Sequence, residues 1–188
     1  MTTLSPLRVR LCIVMLTCAQ LLGCSAEPEP SPPPSLSAWL DIKHEEHVMR
    51  SPMRLTYLGR PERKSELDEF SWESYQADLR WRADTVAEMT RLFDRAQLND
   101  AEKLSFDLWQ YSYDRSVAAE PFFYSGLVFD QMNGVHTYLP TFLINFHRVE
   151  TLEDFKALLA RVALVKTRLA EALALAQEST HAAAKPLL

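Results

Sequence analysis

The chain has 188 residues with 20 Lys+Arg against 25 Asp+Glu, a net charge of −5. That leaves no basic surplus for a phosphate backbone and argues against nucleic acid as a partner, while 47% hydrophobic and 24% charged residues exclude a disordered chain. Only 4 Gly stand beside 11 Pro, which disfavours hairpin-rich β architecture and points to an all-α fold.

Arg8 and Arg10 precede an apolar run over residues 11–23, shorter than the roughly 20 residues a helix needs to span a bilayer. A cationic start followed by a short apolar run reads as a signal peptide over residues 1–23. The run ends in Leu21-Leu22-Gly23-Cys24, which resembles the lipobox of bacterial lipoproteins. The resemblance implies cleavage before Cys24 and diacylation of its thiol. Ser25 follows, where an Asp would be the usual inner-membrane retention signal, so the same resemblance points to the periplasmic face of the outer membrane. Acyl chains contribute about 0.8 kcal/mol per buried CH₂, so two or three of them tether a protein firmly to the membrane. All 3 Cys (Cys12, Cys18 and Cys24) lie within this segment or at its end. Beyond it, disulfides and Cys ligands are excluded.

Residues 24–35 carry five Pro between Pro28 and Pro34 and read as a stiff polyproline-like spacer. A helical domain is expected over 36–178, an irregular bundle of about five to six helices. A first helix of mixed polarity covers 36–50. Ser51 and Pro52 supply an N-cap and a first helical residue, and Gly59 a C-cap. A charged loop follows over 60–70. Ser71 caps a long helix to about Gln97, with Trp72, Tyr75, Leu79, Val86, Met89 and Phe93 at helical spacing. Asn99 with Glu102 forms a capping-box pattern for a helix to about Val117, whose expected inner stripe is Ala101, Leu104, Leu108 and Tyr111. Residues 118–134, rich in aromatics, read as an ordered loop with a short helical turn. Residues 136–146 read as mostly helical, with Pro140 near a helix start. Thr151 and Asp154 mark one more N-terminus. Leu152, Phe155, Leu159, Val162, Leu169 and Leu173 then give a regular stripe to about Ala176, and a tail over 179–188 reads as frayed.

Candidate chemistry is sparse. His44-Glu45-Glu46-His47 places two imidazoles one helical turn apart, so both could reach a metal. The zincin pattern is His-Glu-x-x-His, one residue longer, with its Glu as general base. A solvated helix face is the simpler reading. His136, in Asn133-Gly134-Val135-His136, is a possible acid or base, although a lone His of this kind is more often hydrogen-bonded structure. Gly134 beside it suggests a positive φ or a close backbone approach. The acids Glu66, Asp68, Glu69 and Glu73, and Glu150, Glu153 and Asp154, read as solvated faces or helix-start acids. No GxSxG, P-loop or GxGxxG pattern occurs. No catalytic residue, metal ligand or cofactor site is assigned.

Three stretches carry a family resemblance. Ser51-Pro52-Met-Arg-Leu-Thr-Tyr-Leu-Gly59, Leu104-Ser-Phe-Asp-Leu-Trp-Gln-Tyr111, and Asp130 to Pro140 followed by 151–161 are similar to successive segments of the bacterial domain of unknown function 885 family. They span about residues 38–178. The resemblance implies a mostly helical, zincin-like architecture, often in exported lipoproteins. It also implies a His-Glu-x-x-x-Gly-His-type motif far downstream, suggestive of metal-dependent hydrolysis of peptides. This chain contains no such motif, and His44 and His47 do not match it. The expectation is a lipid-anchored, truncated N-terminal segment of a hydrolase, inactive alone, with apolar faces that a protein partner would cover. A complete binding or scaffold lipoprotein, and half of an enzyme assembled in trans, remain open.

Overall fold

Helix boundaries are set by side chains that supply partners to backbone groups a helix end leaves free. The computed structural model describes residues 35–125, 128–132 and 134–183. The expected signal peptide, Cys24, the spacer up to residue 34 and residues 184–188 lie outside them. Six α-helices occur among the described residues: α1 (Leu36–Met49), α2 (Pro52–Tyr57), α3 (Trp72–Leu92), α4 (Asp100–Ala119), α5 (Val135–Asn145) and α6 (Leu152–Ala183). Short 3₁₀ turns lie at Arg95–Gln97 and Glu120–Ser125, and no strand occurs among the described residues, so the fold is all-α.

The Oγ atoms of Ser35, Ser51 and Ser71 accept from the N–H groups of Ala38, Arg54 and Ser74 at 3.2, 3.0 and 3.1 Å. Asn99 with Glu102 forms the expected capping box, and Thr151 with Asp154 forms a second, at 3.1 and 3.0 Å. At the end of α2 the Arg60 N–H reaches the Leu55 carbonyl and the Gly59 N–H the Thr56 carbonyl. Gly59 has φ +73. This is the Schellman closure that glycine makes at no steric cost.

Three boundaries differ from the sequence expectation. Helix α3 stops at Leu92, not near Gln97, because Phe93 is extended and the Asp94 carboxylate takes the Ala96 N–H at 2.9 Å; short acidic side chains compete with the helix in this way. Pro140 sits inside α5 and not at its start, where it removes the bond to the His136 carbonyl. Helix α6 runs on to Ala183 through the start of the expected frayed tail.

Two buried clusters hold the helices. The first joins α1, α3 and α4 through Leu36, Trp39, Met89 and Phe106, with Phe93, Leu98 and Trp109 packed against it. Trp39 meets the edges of Phe93 and Trp109 at 6.1 and 5.8 Å, and its indole N–H donates to Glu88 at 3.1 Å. The second joins α2, α5, α6 and the 58–71 loop through Met53, Leu67, Leu139 and Phe142, with Leu164, Val165 and Leu169 alongside. Each fully buried side chain of this size contributes about 1.5–3 kcal/mol. A third, aromatic contact set of Trp72, Tyr75, Phe123 and Tyr124 ties the start of α3 to the second 3₁₀ turn. The Tyr124 hydroxyl donates to Glu178 on α6.

Two expected inner stripes face outward instead. On α4, Leu104, Leu108 and Tyr111 are exposed, while Phe106 is buried and Trp109 half-buried. Helix α4 has two apolar faces, and the one with two large rings removes more area from water. On α6, Leu152, Phe155, Leu159, Val162 and Leu173 are exposed, whereas Arg161 and Ala172 are buried and Leu169 packs inward. The inward ridge of α6 is built around Arg161 and Arg168, two cations that hydropathy spacing assigns to solvent.

Candidate functional site

His44 is exposed on α1. His47, one turn on, is half-buried and stacked on Trp81, with ring centroids 5.2 Å apart and an interplanar angle of 20°. The Arg54 Nη1 lies 3.2 Å from His47 Nδ1 and the Arg82 Nη2 lies 3.2 Å from Nε2. Burial, then the Arg54 and Arg82 charges, pushes the imidazole down to about 4. A divalent cation at this ring would face guanidinium groups, so the geometry disfavours the metal reading weighed for His44 and His47. Among the described residues no group of three His, Cys, Asp or Glu side chains is arranged to hold a metal ion.

His136 is exposed at the start of α5, with its ring centroid 5.6 Å from that of Phe129. Gly134 serves as the N-cap with φ −64, so no positive φ is needed. A Cβ there would meet the His136 ring at 2.6 Å and the Asp130 backbone nitrogen at 2.8 Å. The close approach expected of Gly134 is therefore present, and the positive φ is not. The acids mostly serve local structure. Asp68 accepts from Ser51 Oγ at 2.6 Å and from the Met53 N–H at 3.0 Å. Asp154 pairs with Lys64 and closes the second capping box.

The most constrained polar group was not singled out by the sequence. Arg161 is 0% exposed. Its Nε donates to the Glu66 carbonyl at 2.8 Å, Nη1 to His147 Nδ1 at 2.9 Å, and Nη2 to Thr56 Oγ1 at 2.7 Å and the Pro52 carbonyl at 3.3 Å. Its guanidinium carbon lies 5.1 Å from the centroid of the Phe142 ring. Burial lowers the group to about 10, so it stays charged at neutral pH, with Asp68 and Glu66 opposing the shift. His147 Nε2 lies 3.0 Å from the Asp154 carbonyl, which fixes the proton there and leaves Nδ1 to accept from Arg161. Burial pushes His147 below its ordinary value, and Arg161 adds to that. One buried cation thus fastens α2, the 58–71 loop, the α5–α6 connection and α6 through neutral acceptors. The available signal was positional: Arg161, Arg168 and Ala172 share one face of α6.

Packing α6 by its arginine face leaves its apolar residues beside those of α5. Pro140, Leu143, Ile144, Val149, Val162 and Val165 line a groove of about 620 Å³. Ile144 is 80% exposed, and Val149 and Val162 are about half exposed. Leu152, Phe155 and Leu159 extend the apolar surface along α6. Contiguous exposed apolar patches are uncommon on monomeric soluble proteins. Among the described residues no helix is long and apolar enough to cross a membrane.

The family model described as "Bacterial protein of unknown function (DUF885)" matches residues 52–187. The match covers α2 to α6, and so takes in the Arg161 node and the groove. No curated protein and no solved structure matches the chain.

Proposed function

Because this chain belongs to the bacterial DUF885 family, we propose that it is a lipid-anchored helical module of a cell-envelope hydrolase whose apolar groove seats a further portion of that hydrolase. The groove between α5 and α6 carries the reading: Ile144, Val149 and Val162 stand open to solvent beside a core that is already filled. Burying such side chains at about 25 cal/mol per Å² would drive docking. The lipobox-like end at Cys24 supports attachment to the membrane, and Ser25 supports the periplasmic face of the outer membrane. In this reading the chemistry, metal-dependent hydrolysis of peptides, is carried by the seated portion, and the helices described above supply the wall it packs on.

Co-expression of the full chain with a polypeptide carrying a His-Glu-x-x-x-Gly-His motif tests the proposal. We expect the two to co-purify, Ile144→Glu to abolish the complex, and Arg115→Glu on α4 to leave it intact. A well-folded chain that forms no complex, or one whose complex ignores Ile144→Glu, would overturn the reading.

A further inference from the structure

We propose that the cleft where α1, α2 and α3 meet binds a small oxyanion, a carboxylate or phosphate group, held by Arg54 and Arg82 over the His47 imidazole. The local charge is unbalanced. Arg82 Nε lies 2.7 Å from the Asp78 carboxylate and Arg50 Nε lies 3.6 Å from it, so one acid serves two guanidinium groups. Arg54, a third, has no carboxylate within ion-pair distance among the described residues and turns its Nη1 to the His47 ring. The other acids lining the cleft already have partners. Glu66 pairs with Arg63, Asp68 caps α2, and Glu69 lies 3.9 Å from Arg168.

The hydrogen bonding is unbalanced in the same direction. A neutral imidazole has one donor and one acceptor nitrogen. Arg54 faces Nδ1 and Arg82 faces Nε2, both at 3.2 Å. With the proton on Nδ1, Nε2 is the one acceptor for both Arg82 at 3.2 Å and Arg54 at 3.4 Å; with the proton on Nε2, the Arg82 N–H group points at another N–H. Protonating the ring would make both pairs donor against donor and add a like charge. An oxyanion resolves the conflict, because its oxygens accept from both guanidinium groups and from the imidazole N–H together. Arg168 also lines the cleft, and its buried Nε has no hydrogen-bond partner among the described residues. The cleft measures about 710 Å³, within the roughly 300–1,000 Å³ range of small-molecule sites. Arginine suits planar carboxylates and tetrahedral phosphates equally, since both accept its paired N–H groups. This inference stands apart from the docking groove, which lies on α5 and α6.

Titration calorimetry on the full chain in detergent, with sodium phosphate in one arm and sodium succinate in the other against a constant chloride background, tests the site. We expect saturable binding of at least one anion, and the responding arm identifies the group. Arg54→Gln, at an exposed position, should weaken binding about tenfold or more while leaving thermal unfolding in chloride unchanged. The His47 ring, followed by NMR, should titrate at higher pH with the anion bound, because the nearby negative charge favours imidazolium among Arg50, Arg54, Arg82 and Asp78. No saturable heat in either arm would overturn the assignment. So would binding that Arg54→Gln leaves intact, or a His47 titration that the bound anion does not move.

Discussion

Replacing Arg161 by Met removes a buried cation and keeps most of its apolar length. Its four acceptors are not affected equally. The Pro52 carbonyl also accepts from Thr56 Oγ1 at 3.2 Å, so both Pro52 and Thr56 keep a partner. The Glu66 carbonyl and His147 Nδ1 lose the donors at 2.8 and 2.9 Å. An acceptor stranded in the interior costs about 1–3 kcal/mol, so two cost about 4 kcal/mol. Methionine packing on Phe142 returns about 1 kcal/mol. The expected net loss is about 3 kcal/mol, a fall in Tm of about 10 °C for a domain of this size. Arg161→Lys keeps the charge without the fork and should fall between parent and Met. Urea unfolding followed by circular dichroism measures the loss directly. Buried ionic groups can sometimes be exchanged for apolar ones with a gain in stability. An Arg161→Met variant as stable as the parent, or more so, would refute the node as the fastening of α2, α5 and α6.

Three further outcomes are expected. His47 and His147 both have folded-state values below the unfolded one, His47 at about 4 and His147 lowered mainly by burial; stability should be complete above about pH 6.5 and fall as pH drops from there towards 4, because the unfolded state takes up the protons. Thermal melts across that window check it, and His147→Gln should flatten the profile. Gly134→Ala puts a methyl 2.8 Å from the Asp130 backbone nitrogen and should cost about 1–3 kcal/mol, read as a lower Tm. Cys24→Ala should abolish metabolic labelling with a fatty-acid analogue and leave the leader over residues 1–23 uncleaved, read as a larger chain on a denaturing gel.

The caps were legible because they are local. Ser51, Ser71, Asn99 with Glu102, and Thr151 each act within one turn, and each begins a helix where the sequence placed it. Gly59 was legible for the same reason. The faces of α4 and α6 were not, because hydropathy spacing reports only that a stripe exists. On α4 the competing face carries Phe106 and Trp109, and ring size decides between the two. On α6 the buried ridge carries Arg161 and Arg168, and what brings Arg161 inside is a set of acceptors far along the chain: the Pro52 and Glu66 carbonyls and Thr56. Nothing within one turn of Arg161 announces them. His47 shows the same limit. Its neighbour His44 suggested a metal pair, while Arg82, on another helix, gives its ring a cationic environment.

The most direct test of the account is a photo-crosslinking amino acid placed at Ile144 in the full chain, produced in cells that make DUF885 proteins. The crosslinked product should contain a polypeptide bearing a His-Glu-x-x-x-Gly-His motif, joined through residues that would face the α5–α6 groove. Crosslinks confined to lipid or to a second copy of this chain, in a protein that otherwise unfolds cooperatively, would contradict it.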